Sequence, residues 1–292
     1  MNERLKNKMK IAVIAVNYNG SDVTDIFVES LVQAQLDCPQ LELSIIIVDN
    51  ASDQSDFDAL YKLESRFPVV KVLKLEKNVG YFGGLNVGLD SIEDKSVFDS
   101  VIIGNNDLIF DADFFKGLAV DGNVLRSEMI ISPRIKTLEG EDQNPHVVQS
   151  ISKLRENVYD LYYSNFYLSR VILILARLTR FFTDRGDEKQ GCENSQHIYQ
   201  GYGACYLLTP LYFKEFDRLP ADVFLSYEEF FLTKQIQSVG FRPFYKHDIG
   251  VVHMVHSTTG QMPSKKKWEL SRLAHFEYRK HVETLFSKWL LK

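Results

Sequence analysis

Acidic residues stand where apolar, strand-like runs stop. Val101-Ile102-Ile103 reaches Gly104 and opens on Asn105-Asn106-Asp107, and Leu43 to Val48 (LSIIIV) opens on Asp49-Asn50. A third run, within Lys10 to Val16, opens on Asn17-Tyr18-Asn19-Gly20. Apolar β-branched runs closed by Gly, Asn or Asp read as buried strands ending in turns. In a parallel sheet such ends share one edge, and ligands bind just beyond it. There the Tyr18 ring can stack on a base and one carboxylate can accept hydrogen bonds from a base or ribose. The other carboxylate can take a hard divalent cation, which in turn holds a diphosphate. Each triplet alone is also what a plain turn looks like, because Asn and Asp favour turns. Their convergence suits a nucleotide diphosphate.

Further along, Phe224-Leu225-Ser226-Tyr227-Glu228-Glu229-Phe230-Phe231-Leu232 sets two adjacent acids at the start of a helix that runs to about Gly240. Acids there complement the helix dipole. Among aromatics at least one is partly desolvated, which raises its pKa and suits it to act as a base. His253 and His256 follow in VVHMVHSTTG, and a lone histidine is more often structural than a ligand. In QGYGACYLL, Gly201 and Gly203 flank an aromatic ahead of an apolar strand, which also fits a Gly-punctuated bulge.

The elements that position these residues alternate. The spacing predicts a first strand over Lys10–Val16 and a helix over Asp22–Leu36 with apolar residues at Ile26, Leu31 and Val32. A second strand over Leu43–Val48, a short helix over Phe57–Phe67 and a third strand over Val69–Leu75 follow. Then Asn78-Val79-Gly80-Tyr81-Phe82-Gly83-Gly84-Leu85-Asn86-Val87-Gly88 reads as a loop entering a helix. It is neither GxGxxG nor a Walker loop. Its glycines suit either close approach of backbone amides to an anion or a helix packed tightly on the sheet. Strand and helix in alternation imply a mostly parallel sheet covered on both faces.

Composition sets the frame. The 292 residues are 45% hydrophobic and 25% charged, with a formal charge of −5, an ordinary globular balance that argues against nucleic acid as the main partner. Cys38, Cys192 and Cys205 are far apart and form no metal pattern, so a reduced, cytosolic setting is the simplest reading. Basic Arg4, Lys6, Lys8 and Lys10 before IAVIAV imitate a signal peptide, but the apolar run is short and lacks a small-residue cleavage site. No run approaches the length of a membrane span.

VNYNG, VDNASD, NVGYFGGLNVGL and GNND, in that order, resemble the successive signatures of family 2 glycosyltransferases of the GT-A fold. The resemblance is nearest to bacterial rhamnosyl- or galactofuranosyl-transferase-like members of surface polysaccharide assembly. It covers Lys10 to about Ile135 and resumes from about Tyr199 to His256. It implies a Rossmann-like α/β/α sandwich and places Tyr18 by the base, with Val16 or Asn17 alongside. Asp49 would hydrogen-bond the pyrimidine, and Asn78, Gly80, Gly84 and Asn106 would complete the nucleotide side. Asp107 matches the metal-binding Asp of the family's DxD-type motif, with Asn105 in place of the first acid. Gly203 and Ala204 match its Gly-Ala segment on the sugar-acceptor side, with Tyr227 nearby. Glu229 stands where the family has its catalytic base, with Glu228 in reserve, and Phe231 where members often carry another acid. His253, in preference to His256, falls where the family places a metal-ligating histidine. Asp107 and a neutral His253, with diphosphate oxygens and water, would make an acceptable shell for Mn²⁺ or Mg²⁺.

The expected layout is one GT-A domain with a nucleotide-sugar half over 10–135, an insertion over 137–198 and an acceptor half over 199–260. An amphipathic C-terminal helix over 264–292 follows, with Trp268, Leu270, Leu273, Phe276, Val282, Leu285 and Phe286 as its apolar positions. Within the insertion, YYSNFYLSRVILILARLTRFF carries Arg170, Arg177 and Arg180 and no acid. Such a helix fits either a membrane interface rich in anionic lipid or a buried core position. The expected partners are a nucleotide-sugar donor and a saccharide acceptor, free or carried on lipid, in the cytoplasm or peripherally at the inner face of the membrane. A sugar-phosphate nucleotidyltransferase and a non-catalytic saccharide-binding member stay open as other readings. The first would need a Gly-rich loop with a basic residue near the N-terminus, which VNYNG does not supply.

Overall fold

A computed structural model describes residues 8–179, 193–255 and 264–284. In chain order the elements are β1 (Met9–Asn17), α1 (Ser21–Leu36), β2 (Leu41–Asp49), α2 (Gln54–Arg66), β3 (Val70–Lys74), α3 (Tyr81–Asp90), β4 (Ser100–Asn105) and β5 (Leu108–Ile109). Then come α4 (Ala112–Val120), α5 (Val124–Ser127), β6 (Ile130–Thr137), β7 (Asp142–Asn144), α6 (Lys153–Ser164), α7 (Phe166–Thr179) and β8 (Gln196–His197). The chain continues with β9 (Cys205–Leu208), α8 (Pro210–Glu215), α9 (Glu228–Gln237), β10 (Phe244–His253) and α10 (Ser264–Arg279). His256, Arg180 and Cys192 lie outside the described residues, as do Leu285 and Phe286.

One sheet runs β3-β2-β1-β4-β9-β6-β10-β5, with β7 on β6 and β8 on β10. Its first four strands are parallel, as the alternation of elements predicts. Beyond β4 the sheet is mixed, because β9 runs antiparallel to both of its neighbours. The apolar runs are buried on both faces, which is why they read as continuous rather than alternating. Ile11, Val13, Ala15, Ile45 and Ile47 face the layer that includes Phe27, Leu31 and Leu60. Ala12, Ile14, Ile46 and Val48 face Phe82, Leu85 and Leu89 of α3.

In two helices the buried face does not follow the apolar positions. In α1 the buried stripe is Thr24, Phe27, Val28, Leu31 and Ala34, while Ile26 is exposed. An i, i+3, i+4, i+7 stripe beginning at Thr24 cannot include Ile26. In α10 the buried positions are Ala274, His275, Tyr278 and Arg279, while Leu273 is exposed. Charge dictates that face. Arg279 meets Glu156 at 2.7 Å and bonds Asp160 through Nε, and Tyr278 donates to Glu156. His275 Nε2 lies 2.8 Å from Asp160, and burial, the largest influence on His275, holds its pKa below the ordinary value. α6 and α10 are thus joined by a buried cluster in which one guanidinium serves two carboxylates, and removing one partner of such a set typically costs about 3–5 kcal/mol.

Candidate active site

Strand register assembles the site. Asn17 pairs with Asp49 and Val16 with Asn105, so the ends of β2, β1 and β4 form one ledge. Antiparallel β9 sets Cys205 opposite Gly104 and brings Ala204 to this ledge, where the Asn105 amide donates to its carbonyl at 2.9 Å. β5 begins immediately after Asp107 and pairs Leu108 with His253, so the carboxylate and the imidazole meet.

A cavity of about 330 Å³ opens on the ledge, within the range of roughly 300–1,000 Å³ usual for small-molecule sites. Among the residues singled out from the sequence, Val16, Tyr18, Asn78, Gly80, Asn106, Asp107, Gly203, Ala204, Glu228 and Glu229 line it. Asn50, Tyr81, Tyr202, Phe224 to Ser226 and Lys267 also line it and were not on that list. The VDNASD motif held the signal for Asn50, whose carbonyl accepts from Val79 N at 2.9 Å. Its amide donates to Asn78 Oδ1 at 3.0 Å and to Gly80 O at 3.1 Å. Gly80 is required here, since its φ is +81° and a Cβ would stand 2.4 Å from Phe224 O.

Five of the candidate site residues, Asn17, Asp49, Gly84, Tyr227 and His253, lie off the cavity wall, His253 directly behind Asp107. Asp49 is fully buried, accepting from Asn17 Nδ2 at 3.1 Å and from the Ser52 amide at 3.3 Å. It and the equally buried Asn17 tie strand ends together behind the cavity wall. Gly84 serves packing, since a Cβ would stand 2.9 Å from Val16 Cγ2. Tyr227 turns its hydroxyl to His275 Nδ1 at 2.9 Å and stacks on Tyr278. Phe231, where an acid was looked for, is buried in the same cluster.

Asp107 and His253 form a buried pair at the cavity wall. Both side chains are buried, and Nε2 lies 3.0 Å from Oδ1. Neither Asp107 oxygen nonetheless receives a hydrogen bond of acceptable geometry. His253 Nδ1 lies 2.6 Å from Gln143 Oε1, and with Nδ1–H donating there the Nε2 lone pair faces Asp107 and Asn105 Nδ2, 3.4 Å away. A carboxylate oxygen and an imidazole lone pair facing one another fit a divalent cation, and the Gln143 contact is the kind that orients a metal-ligating histidine. Gln143 sits on β7, in a stretch with no sequence signal for it. Among the described residues no third His, Cys, Asp or Glu joins the pair, so remaining ligands would come from elsewhere. Val255, just past His253, has φ +59°, a costly conformation for a β-branched residue.

Across the cavity, α9 presents its two acids. Burial first, and then the neighbouring Glu229 charge, push Glu228 up to about 8. Its Oε1 is buried without a partner, so Glu228 holds its proton at neutral pH. Glu229 is half-buried and lies against Gly203, where a Cβ would come within 3.3 Å of Oε2. The turn before α9 is strained, with Ser226 at φ +76° and Tyr227 at φ +68°. Ser226 Oγ meets Ser271 Oγ at 3.0 Å, so α10 clamps this turn at both residues. Burial above all, with the nearby Glu228 charge next, raises Tyr81 well above its ordinary pKa, and its hydroxyl donates to Gly203 O at 3.2 Å.

Residues 12–175, more than half of the chain, match the family described as Glycosyl transferase family 2. The chain belongs to glycosyl transferase family 2. No curated protein matches it. Among solved structures this glycosyltransferase is similar to the mannosyltransferase PcManGT from Pyrobaculum calidifontis, in complex with GDP-Man and Mn²⁺. The identity is 13% and the TM-score 0.57, over 98% of this chain and 69% of that one. It is similar to residues 1–349 of S. aureus TarS at 16% identity and a TM-score of 0.54, over 97% of this chain and 69% of that one. GalNAc-T7, solved with UDP, GalNAc and Mn²⁺, matches at 12% identity and a TM-score of 0.57, over 87% of this chain but only 45% of its own. At these identities the likeness carries the fold, which is GT-A.

Proposed function

We propose that this glycosyltransferase moves a sugar from a nucleotide diphosphate to a hydroxyl of a saccharide acceptor, inverting the anomeric centre by direct displacement. The observation that carries the proposal is the pairing, at one cavity, of the open Asp107–His253 acceptor pair with the two carboxylates of α9. Asp107 and His253 would hold Mn²⁺ or Mg²⁺, which when bound offsets the negative charge of the leaving diphosphate. Tyr18, at the rim, offers a ring for the base, while Asn50 and Asn78 shape the wall beside it. Glu229 takes the acceptor proton, because it is the more accessible of the two acids and Glu228 already carries a proton. The donor is a dTDP- or UDP-sugar, with dTDP-rhamnose first by the likeness of the four motifs. The setting is cell-envelope polysaccharide assembly at the cytoplasmic side of the membrane. No helix among the described residues is long and apolar enough to cross a membrane.

Transfer by Glu229→Gln tests the assignment. The variant should lose transfer while binding nucleotide as the parent does, and transfer at close to the parent rate would sink Glu229 as the base.

A further inference from the structure

α7 is built inside out. Among its described side chains the fully buried ones are small, Ser169 and Ala176, and Phe166 and Ile172 are half-buried, while Tyr167, Val171, Ile174 and Leu175 are 75%, 50%, 57% and 51% exposed. At 100° per residue these four fall on one face, with exposed Leu168 beside them. A helix on a water-facing surface carries its bulky apolar residues inward, so an outward apolar stripe marks an interaction surface. The same observation removes a buried core position as the explanation of this segment.

Charge says which partner. α7 contains no acid, and exposed Arg170 borders the stripe. The acids of neighbouring α6, Glu156 and Asp160, are buried and held by Arg279. Exposed Lys265 and Lys266 stand at the start of α10, faced on that stretch by exposed Glu269. That start is fixed against the α6–α7 turn, since Trp268 Nε1 donates to Tyr162 O at 3.2 Å and the Trp268 ring meets Phe166. In a protein of net charge −5, cations thus stand beside the stripe at Arg170 and near the α6–α7 turn at Lys265 and Lys266.

We propose that the outward face of α7, flanked by Arg170 and the start of α10, docks on a bilayer surface rich in anionic lipid. The apolar stripe enters the acyl boundary and the cations meet the headgroups. Lys267, next to these lysines, lines the cavity, so docking sets the cavity mouth close to the membrane plane. This goes beyond the transfer reaction and does not depend on it.

Co-sedimentation of the full chain with vesicles tests the docking, using phosphatidylcholine alone and an equal mixture of phosphatidylcholine and phosphatidylglycerol. The parent should partition preferentially onto the mixed vesicles, and more weakly as salt rises. V171E/I174E should reduce that partition by about tenfold or more, since it sets charge into the apolar face. Arg170→Gln should reduce it by roughly fivefold, the share of one cation near such a surface. Leu36→Glu, at an exposed apolar site on α1, should change nothing. All variants should melt as the parent does, because the substituted positions are exposed. Equal partition of parent and V171E/I174E would overturn the proposal. So would a concentration-dependent dimer that V171E/I174E abolishes while the parent ignores both vesicles, since a second copy would then own the face.

Discussion

Replacing Glu228 by Gln should change the pH dependence of stability more than stability itself. In the folded protein this carboxyl titrates at about 8 against an ordinary 4.5, through burial first and the Glu229 charge second. Between those values the native state keeps a proton that the unfolded chain has released. Stability therefore falls as pH rises through that window, by up to ~1.4 kcal/mol per pH unit for one group. The contribution is fully present below about 4.5 and lost once pH passes about 8. Across the window the sum is on the order of a few kcal/mol, and a chain of this size moves its melting point by roughly 2–4 °C per kcal/mol. Gln cannot ionise, so the parent should lose several degrees relative to Glu228→Gln between mildly acid and mildly alkaline buffer. Glu229→Gln, by removing the second cause, should shift the parent's window toward lower pH. Melting curves of the three proteins across pH read this directly. Parallel curves for parent and Glu228→Gln would refute the claim that Glu228 is protonated in the folded state.

Three further substitutions probe the site and its support. Gly80→Ala forces a Cβ to 2.4 Å from Phe224 O at φ +81°, whereas Gly140→Ala meets nothing within 4 Å at φ +85°. Denaturant titration should show the Gly140 variant losing only the cost of a left-handed residue, about 1–2 kcal/mol, and the Gly80 variant losing more. Equal losses would remove the close approach from the account. Gln143→Leu should free the His253 ring and weaken Mn²⁺ binding, read by electron paramagnetic resonance, by roughly 10–100-fold. Unchanged Mn²⁺ affinity would mean that Gln143 does not orient the ligand.

Much of the fold was legible because the strands of the first half are apolar on both faces and end in Asn, Asp or Gly, a pattern with few competitors. The edge where Val16, Tyr18, Asn106 and Asp107 gather followed from that alternation alone. What sequence could not show was which members of a strand-end motif face the cavity. Asp49 and Asn50 are neighbours, yet one is locked in a buried network and the other lines the wall. Tyr227 and Glu228 are likewise neighbours, and the left-handed turn that separates their directions is held by Ser271 and His275, far away in the chain. The buried face of α10 was misread for a related reason. Apolar periodicity cannot reveal that Arg279 is inside, because its partners Glu156 and Asp160 come from α6. For α7 the sequence offered two readings with one composition, and only exposure separates them.

If Asp107 and His253 hold a divalent cation, nucleotide diphosphate binding at this cavity needs that cation. The most direct measurement is melting with UDP, dTDP, GDP, CDP or NAD, each with and without Mn²⁺, for the parent and Asp107→Asn. A nucleotide at ~100 times its dissociation constant stabilises a fold by roughly 2.7 kcal/mol. Such a shift is expected with a pyrimidine diphosphate, dependent on Mn²⁺ and absent in Asp107→Asn. No shift with any diphosphate in the presence of Mn²⁺, or the same shift in parent and Asp107→Asn, would contradict a cation site at Asp107.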